Sequence, residues 1–182
     1  MDLITGEPLA LDLINTHAVT PDGVIDALES AESFRSWLDA QAHRLTLPGG
    51  ELSKADLTAI AELRTHVTDA IEAAREGHRP SARSLDAINA AARSAPQYSE
   101  LTSHLLKRAN RDGTERAKLM AQFAEAAIEL LSAPEIRKVK VCEGPLCRML
   151  FLPAHPRRRW CSPALCGNRV RVARYYQRHR TS

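Results

Sequence analysis

Along residues 1–133, apolar side chains recur three and four positions apart, the spacing of one helix face. Residues 9–16 form a short, mostly apolar helical stretch, and Thr20, Pro21, Asp22 and Gly23 then break the chain. Residues 30–43 predict a second helix with Phe34, Trp37 and Leu38 on one face, followed by a loop at Pro48, Gly49 and Gly50. The strongest helix is expected over 53–76. Ser53 can cap it, Asp56 stands where a capping-box partner belongs, and Gly77 stops it. Leu57, Ile60, Ala61, Val67 and Ile71 line its inner face, with Arg64 interrupting the row. A further helix over 81–93 places Leu85, Ile88 and Ala92 inward. Residues 98–106 are ambiguous and compatible with an extended chain. Asp112 and Gly113 mark a turn, and Thr114 can cap a helix over 115–131 that buries Leu119, Phe123, Ala127 and Leu130.

Charge changes the picture from one chain to two regions. The 182 residues carry a formal charge of only +3, but residues 1–133 sum to −7 and residues 134–182 to +10. All four cysteines lie in the second region, as do four of the eight aromatics, Phe151, Trp160, Tyr175 and Tyr176. A basic tail on an acidic body points to a polyanionic partner for the tail. The same asymmetry would let the body mask the tail. No apolar run approaches the roughly 18–20 residues of a membrane span. The first residues carry acids where a secretory signal carries bases, so a cytoplasmic protein is expected, with no membrane partner.

The cysteines are spaced Cys142-x4-Cys147, then thirteen residues, then Cys161-x4-Cys166. Two local pairs of thiolates suit one tetrahedral zinc ion. A tail of this size cannot build a sufficient apolar core, and zinc contributes on the order of 10–16 kcal/mol of apparent binding energy in small modules. Two disulfides, or an iron–sulfur cluster or other metal, are the alternatives. His155, between the pairs, could stand in for one ligand. Four cysteines close a zinc site, which makes it structural and not catalytic. Met149 to Leu152 would form the first strand of a hairpin closed by the intervening segment.

Ser162 and Pro163 have the chemistry of a helix start, so a helix is expected over 163–178, pinned by the metal at its first turn. At about 100° per residue, Gly167, Arg171, Arg174 and Arg178 fall within about 60° of arc and Tyr175 borders them. Leu165, Val172 and Tyr176, with Ala173 beside them, would form the packing face. Arg169 falls with that face, as a structural residue. Arg157, Arg158 and Arg159 precede Trp160, a grouping suited to clamping phosphate and stacking on a base or sugar; Trp160 suits the finger's core equally well. Asn168 is the candidate reader of base edges.

The body offers no catalytic motif, and an enzyme is not expected. Its one polar constellation is Asp12, Asn15 and Thr16 on a shared face of the first helix. These residues would either bond neighbouring backbone or line a small ligand pocket.

Arg158, Arg159, Trp160, Cys161 and Ser162, followed by Cys166, Gly167, Asn168 and Arg169, resemble the CGNR zinc finger. Residues 9–16, reading Leu-Ala-Leu-Asp-Leu-Ile-Asn-Thr, resemble the opening signature of the ABATE domain that precedes such fingers in bacterial proteins described as stress-induced transcriptional regulators. The chain departs from the finger's usual pattern at Arg148, where glycine is common, and at Pro153 to Pro156. The resemblance implies that Cys142, Cys147, Cys161 and Cys166 bind one structural zinc and that the finger binds DNA. The expected fold is mainly α: a helical regulatory or sensor domain over 1–133, with at most a short β-hairpin, and over 134–182 a treble-clef-like four-cysteine finger of β-hairpin and helix. The expected nucleic-acid contacts are Arg157, Arg158, Arg159, Asn168, Arg171, Arg174, Tyr175 and Arg178. RNA is the alternative partner. A homodimer and a small-molecule effector are further expectations for the body, and a ligand-binding or enzymatic body is the remaining alternative.

Overall fold

The computed structural model describes residues 5–20 and 23–179. Its elements follow in chain order. Helix α1 (Leu9–Ile14) leads into a hairpin of β1 (His17–Thr20) and β2 (Gly23–Asp26), a 3-10 turn (Ala27–Glu29) and α2 (Ala31–Ala40). Helices α3 (Lys54–Glu76) and α4 (Ala82–Ser94) come next, then a hairpin of β3 (Gln97–Leu101) and β4 (Lys107–Arg111), and α5 (Glu115–Ser132). A second 3-10 turn (Pro134–Lys138) leads to β5 (Lys140–Val141), β6 (Leu150–Phe151), a π-helical turn (Pro163–Gly167) and α6 (Asn168–His179). The architecture is mainly α, with three two-stranded antiparallel sheets among the described residues.

The long helix forms where local chemistry dictates. The Ser53 hydroxyl accepts from the Asp56 amide and the Asp56 carboxylate accepts from the Ser53 amide, so the capping box closes. At the other end Gly77 adopts φ +90°, and a Cβ there would collide with the Arg137 guanidinium lying over it. Leu57, Ile60, Leu63, Val67, Ala70 and Ile71 face inward from α3. They meet α1, α4 and α5, whose Leu119, Phe123, Ala127 and Leu130 are all buried. Phe34 stacks on Trp37, and Trp37 tilts against Phe123, so α2 is keyed to α5 by rings. Arg64 breaks the apolar row of α3 for a reason: its guanidinium forks onto both Asp26 oxygens, at 2.6 and 2.7 Å, and donates to the Thr16 hydroxyl at 2.8 Å. It ties α3 to the β1–β2 hairpin.

Three local expectations are corrected and an open one is resolved. The first helix ends at Ile14, because the chain must turn into β1. Leu85 is exposed; Ser84 is buried on that helix in its place. The ambiguous stretch is extended over 98–101, within β3, and its remainder is the turn into β4; all five residues of β3 are exposed. The strand at Leu150–Phe151 pairs with Lys140–Val141, upstream of the first cysteine. The hairpin therefore encloses the first cysteine pair, and the segment between the pairs is irregular. Of the break at residues 20–23, Pro21 and Asp22 lie outside the described residues.

Candidate metal centre and nucleic-acid surface

The β5–β6 ladder delivers Cys142 and Cys147 into a tight knuckle. The Cys142 amide donates to the Met149 carbonyl at 2.9 Å, and the Cys147 amide to the Gly144 carbonyl at 3.0 Å. Leu146 takes a left-handed φ of 60° to bring Cys147 around. Gly144 is fixed by close approach: a Cβ would stand 3.0 Å from the Cys166 Cβ and 3.1 Å from its Sγ. Sequence reasoning passed over this glycine, although its place inside a C-x4-C loop was the available signal. Cys161 ends the irregular segment, and Cys166 sits in the π-helical turn.

All four cysteines are buried and unlinked, with their Sγ atoms within 4.8 Å of one another. Cys147 and Cys161 are 3.8 Å apart, and Cys161 and Cys166 are 3.6 Å apart. A tetrahedron with metal–sulfur bonds of about 2.3 Å has edges of about 3.8 Å, so the sulfurs stand at the corners of a zinc site. The Gly144 and Cys161 amides donate to the Cys142 sulfur at 3.4 and 3.3 Å, orienting it as a thiolate. Hydrogen bonds from the Cys147 and Cys161 thiols hold Cys142 down to about 2. Cys147 is in turn pushed up to about 12 by that same neighbour, and Cys161 is pushed up as well. Zinc takes cysteine as thiolate, so binding at these four sulfurs releases the protons that the thiols hold. His155 is exposed, and its Nδ1 accepts from the Arg157 amide, so it stands outside the donor set.

The finger is seated on the body through the residues of α1. Asp12 is fully buried and accepts from the Gly6 and Glu7 amides, from Gln41 and from Arg44. Burial pushes its carboxyl above the ordinary aspartate value. This fixes the turn that presents Glu7, whose carboxylate accepts from the Leu152 amide at 2.9 Å and from Arg158 at 2.5 Å. Asn15 pairs with the Leu150 backbone in both directions: its Nδ2 donates to the carbonyl at 2.8 Å and its Oδ1 accepts from the amide at 2.9 Å. A side-chain amide thus completes the edge of β6 that β5 leaves open. Thr16 donates to the Leu13 carbonyl at 2.6 Å. Of the two readings for Asp12, Asn15 and Thr16, bonding to protein groups is the one seen: all three are buried and bonded, and Asn15 makes the bond to the finger. Ala18 packs directly into the cysteine cluster.

The arginines divide by partner. Arg158, expected at phosphate, is spent internally: it bonds Glu7 and the Trp160 and Cys161 carbonyls, and lies 4.5 Å over the Phe151 ring. Its role is to hold the finger's loop to the body. Arg159 is exposed but paired with Glu143, and its guanidinium lies 5.7 Å from the Trp160 ring. Arg157 and Asn168 are exposed. Arg171 is exposed while its guanidinium reaches back to the Gly167 and Pro163 carbonyls at 3.3 and 3.4 Å. Arg169 is half-buried. The side chains of Leu165, Arg174 and Arg178 lie outside the described residues. Trp160 is half-buried on the finger's core, which favours the core reading.

The expected packing face of α6 does not pack: Val172, Ala173 and Tyr176 are exposed, as is Tyr175, expected at the border of the arginine arc. Among the described residues the helix packs chiefly against the turn that precedes it.

A helical body joined to a closed, four-sulfur treble-clef module defines a zinc-finger protein. Residues 7–134 match the ABATE family, whose description reads "Putative stress-induced transcription regulator", and residues 138–179 match the CGNR zinc finger. The chain belongs to the ABATE family and carries a CGNR finger, in which Cys142, Cys147, Cys161 and Cys166 bind one structural zinc ion. The matched families are regulator and zinc-finger types and not enzyme families. Comparison with curated proteins finds no match. No helix among the described residues is long and apolar enough to cross a membrane.

Proposed function

We propose that the protein is a cytoplasmic, zinc-dependent transcription regulator whose finger, residues 134–182, binds DNA and whose body, residues 1–133, governs it. The observation that carries this reading is the setting of α6. Residues 142–182 hold nine arginines against one acid, Glu143, and α6 follows directly on the turn that carries Cys166, with Arg171, Val172, Tyr175 and Tyr176 exposed. A structural ion holds the helix start while the cationic surface stays open to a polyanion.

Arg157 and Arg171 are the phosphate contacts among the described side chains, with Arg174 and Arg178 proposed beside them on the helical wheel. Asn168 is the proposed reader of base edges. About four neutralised phosphates give a slope of roughly −3 to −4 in log K against log salt. Fluorescence anisotropy on a labelled duplex, across a salt series, measures it. A flat response, or no duplex binding at low salt, removes the reading. Arg171→Ala should weaken binding to every duplex alike and leave zinc content unchanged, whereas Arg158→Ala should act through the joint and loosen the finger.

A further inference from the structure

Helix α6 carries a second surface that phosphate contacts do not use. Val172 and Tyr175 are each 53% exposed, and Tyr176 is 62% exposed. The Tyr175 ring stacks on His179, with centroids 4.1 Å apart and planes 29° apart, and meets Tyr176 edge-on at 5.8 Å. Three rings thus form one continuous ledge. On the helical wheel, Tyr175, His179, Val172 and Tyr176 span about 100° of arc directly beside the arginine arc, at roughly 100° per residue. The ledge has no partner element among the described residues.

We infer that this ledge takes the faces of unpaired bases, so that the finger grips single-stranded or flipped-out nucleotides of either sugar. The inference rests on the nucleic-acid reading above and refines its target. A duplex hides its base faces and presents only edges, which leaves an exposed tyrosine ledge with nothing to stack on; an unpaired strand offers a π-face at every nucleotide. The juxtaposition has the order such a strand needs: arginines along one arc for the phosphates, rings along the next for the bases. A second copy of α6 is a poor occupant. The helix carries Arg169, Arg171, Arg174 and Arg178 and no acid, so two such helices side by side set like charge against like. The charge complement of this helix is a polyanion, and the rings select one with accessible bases.

The experiment uses the full-length, zinc-loaded protein and three labelled probes: an oligothymidine strand and an oligouridine strand of about 15 nucleotides, and a mixed-sequence duplex of the same length. Tyr175→Ala and Tyr176→Ala should each weaken strand binding about five- to hundredfold, with duplex affinity within about twofold and zinc content unchanged. Tyr175→Phe and Tyr176→Phe, which keep the ring, should restore strand binding. Binding to either strand supports the ledge, and the tighter one names its source. The inference is overturned if the alanine variants leave strand affinity unchanged, or if duplex affinity falls in parallel. It is equally overturned if light scattering shows a dimer that the alanine variants dissolve, since the rings are then an interface between copies. If the duplex does not bind the unsubstituted protein at low salt, the duplex-regulator reading fails whatever the strands do; if the strands do not bind either, the ledge inference fails with it.

Discussion

In the body, Phe34, Trp37 and Phe123 and the aliphatic column of α3 close a core by area alone. In the finger, four sulfurs occupy the centre, with Met149, Phe151, Ala18 and Trp160 around them. The body is long enough for burial to offset the entropy of ordering; the finger, with two two-residue strands, is not. A single ion does in the finger what a dozen side chains do in the body. The two are joined by apolar contacts, Leu150 and Val139 in the body's core and Ala18 against the cysteines, and by polar groups, Asn15 on Leu150 and Glu7 on Arg158. Buried apolar contacts alone would hold the halves without orienting them. Hydrogen bonds to a particular backbone group fix the angle at which α6 leaves the body.

The sharpest way to break the comparison is to remove the metal. Chelation, or Cys147→Ser, should abolish the finger's fold, because the ion supplies on the order of 10–16 kcal/mol. Far-UV circular dichroism should show the body's helices persisting while proteolysis cuts after residue 140. A single cooperative loss of all helix would mean that the body depends on the metal too. The converse lesion is Phe123→Ala, expected to cost about 3–5 kcal/mol of body stability. Denaturant unfolding should register the loss while zinc stoichiometry stays at one.

Both lesions concern features that were legible in the sequence, and the reasons are local. The cysteine spacing, the Ser53–Asp56 capping box and the Gly77 stop are each set by residues a few positions apart. The features that were not legible depend on distant partners. Arg158 sits in a triple-arginine run that looks built for phosphate, but its acid, Glu7, lies 151 residues upstream. Asp12 and Asn15 read as a pocket or as caps because their partners are a loop and a strand edge that no periodicity announces. The strand at Lys140–Val141 is two residues long, too short to carry an alternating pattern. Val172 and Tyr176 have the spacing of a packing face, yet both are exposed among the described residues.

The joint itself supplies the next test. Asn15→Ala strands the Leu150 amide and carbonyl, each at about 1–3 kcal/mol when buried without a partner. Hydrogen exchange at the Leu150 amide should accelerate, and the finger should loosen at full zinc occupancy. Asn15→Asp should recover only half of the effect, since the carboxylate still accepts from the amide but faces the carbonyl as a like dipole. Unchanged exchange in the alanine variant would mean that Glu7 and the apolar contacts of Leu150, Val139 and Ala18 hold the finger's orientation without it.

The smallest expected effect separates two of the body's aspartates, buried Asp12 and half-buried Asp26, by sign. At Asp26, burial pushes the carboxyl up, but the Arg64 fork and the Leu28 amide outweigh it and hold the group below its ordinary value of 3.8. The unfolded chain therefore binds this proton more readily. The stability Asp26 contributes is present above about pH 3.8 and is lost as pH falls through the folded value. At Asp12 burial prevails and the folded value lies above 3.8. Its contribution runs the other way, falling as pH rises from 3.8 through the folded value. Asp26→Asn should thus cost about 1 kcal/mol at neutral pH, the scale of a half-exposed ion pair, and flatten the acid limb of stability against pH. Asp12→Asn should leave that limb in place and remove the opposing slope above it. If both variants flatten the same limb, the Asp12 carboxylate is held ionised by Arg44 after all, and the joint is an ion pair whose charge outweighs its burial.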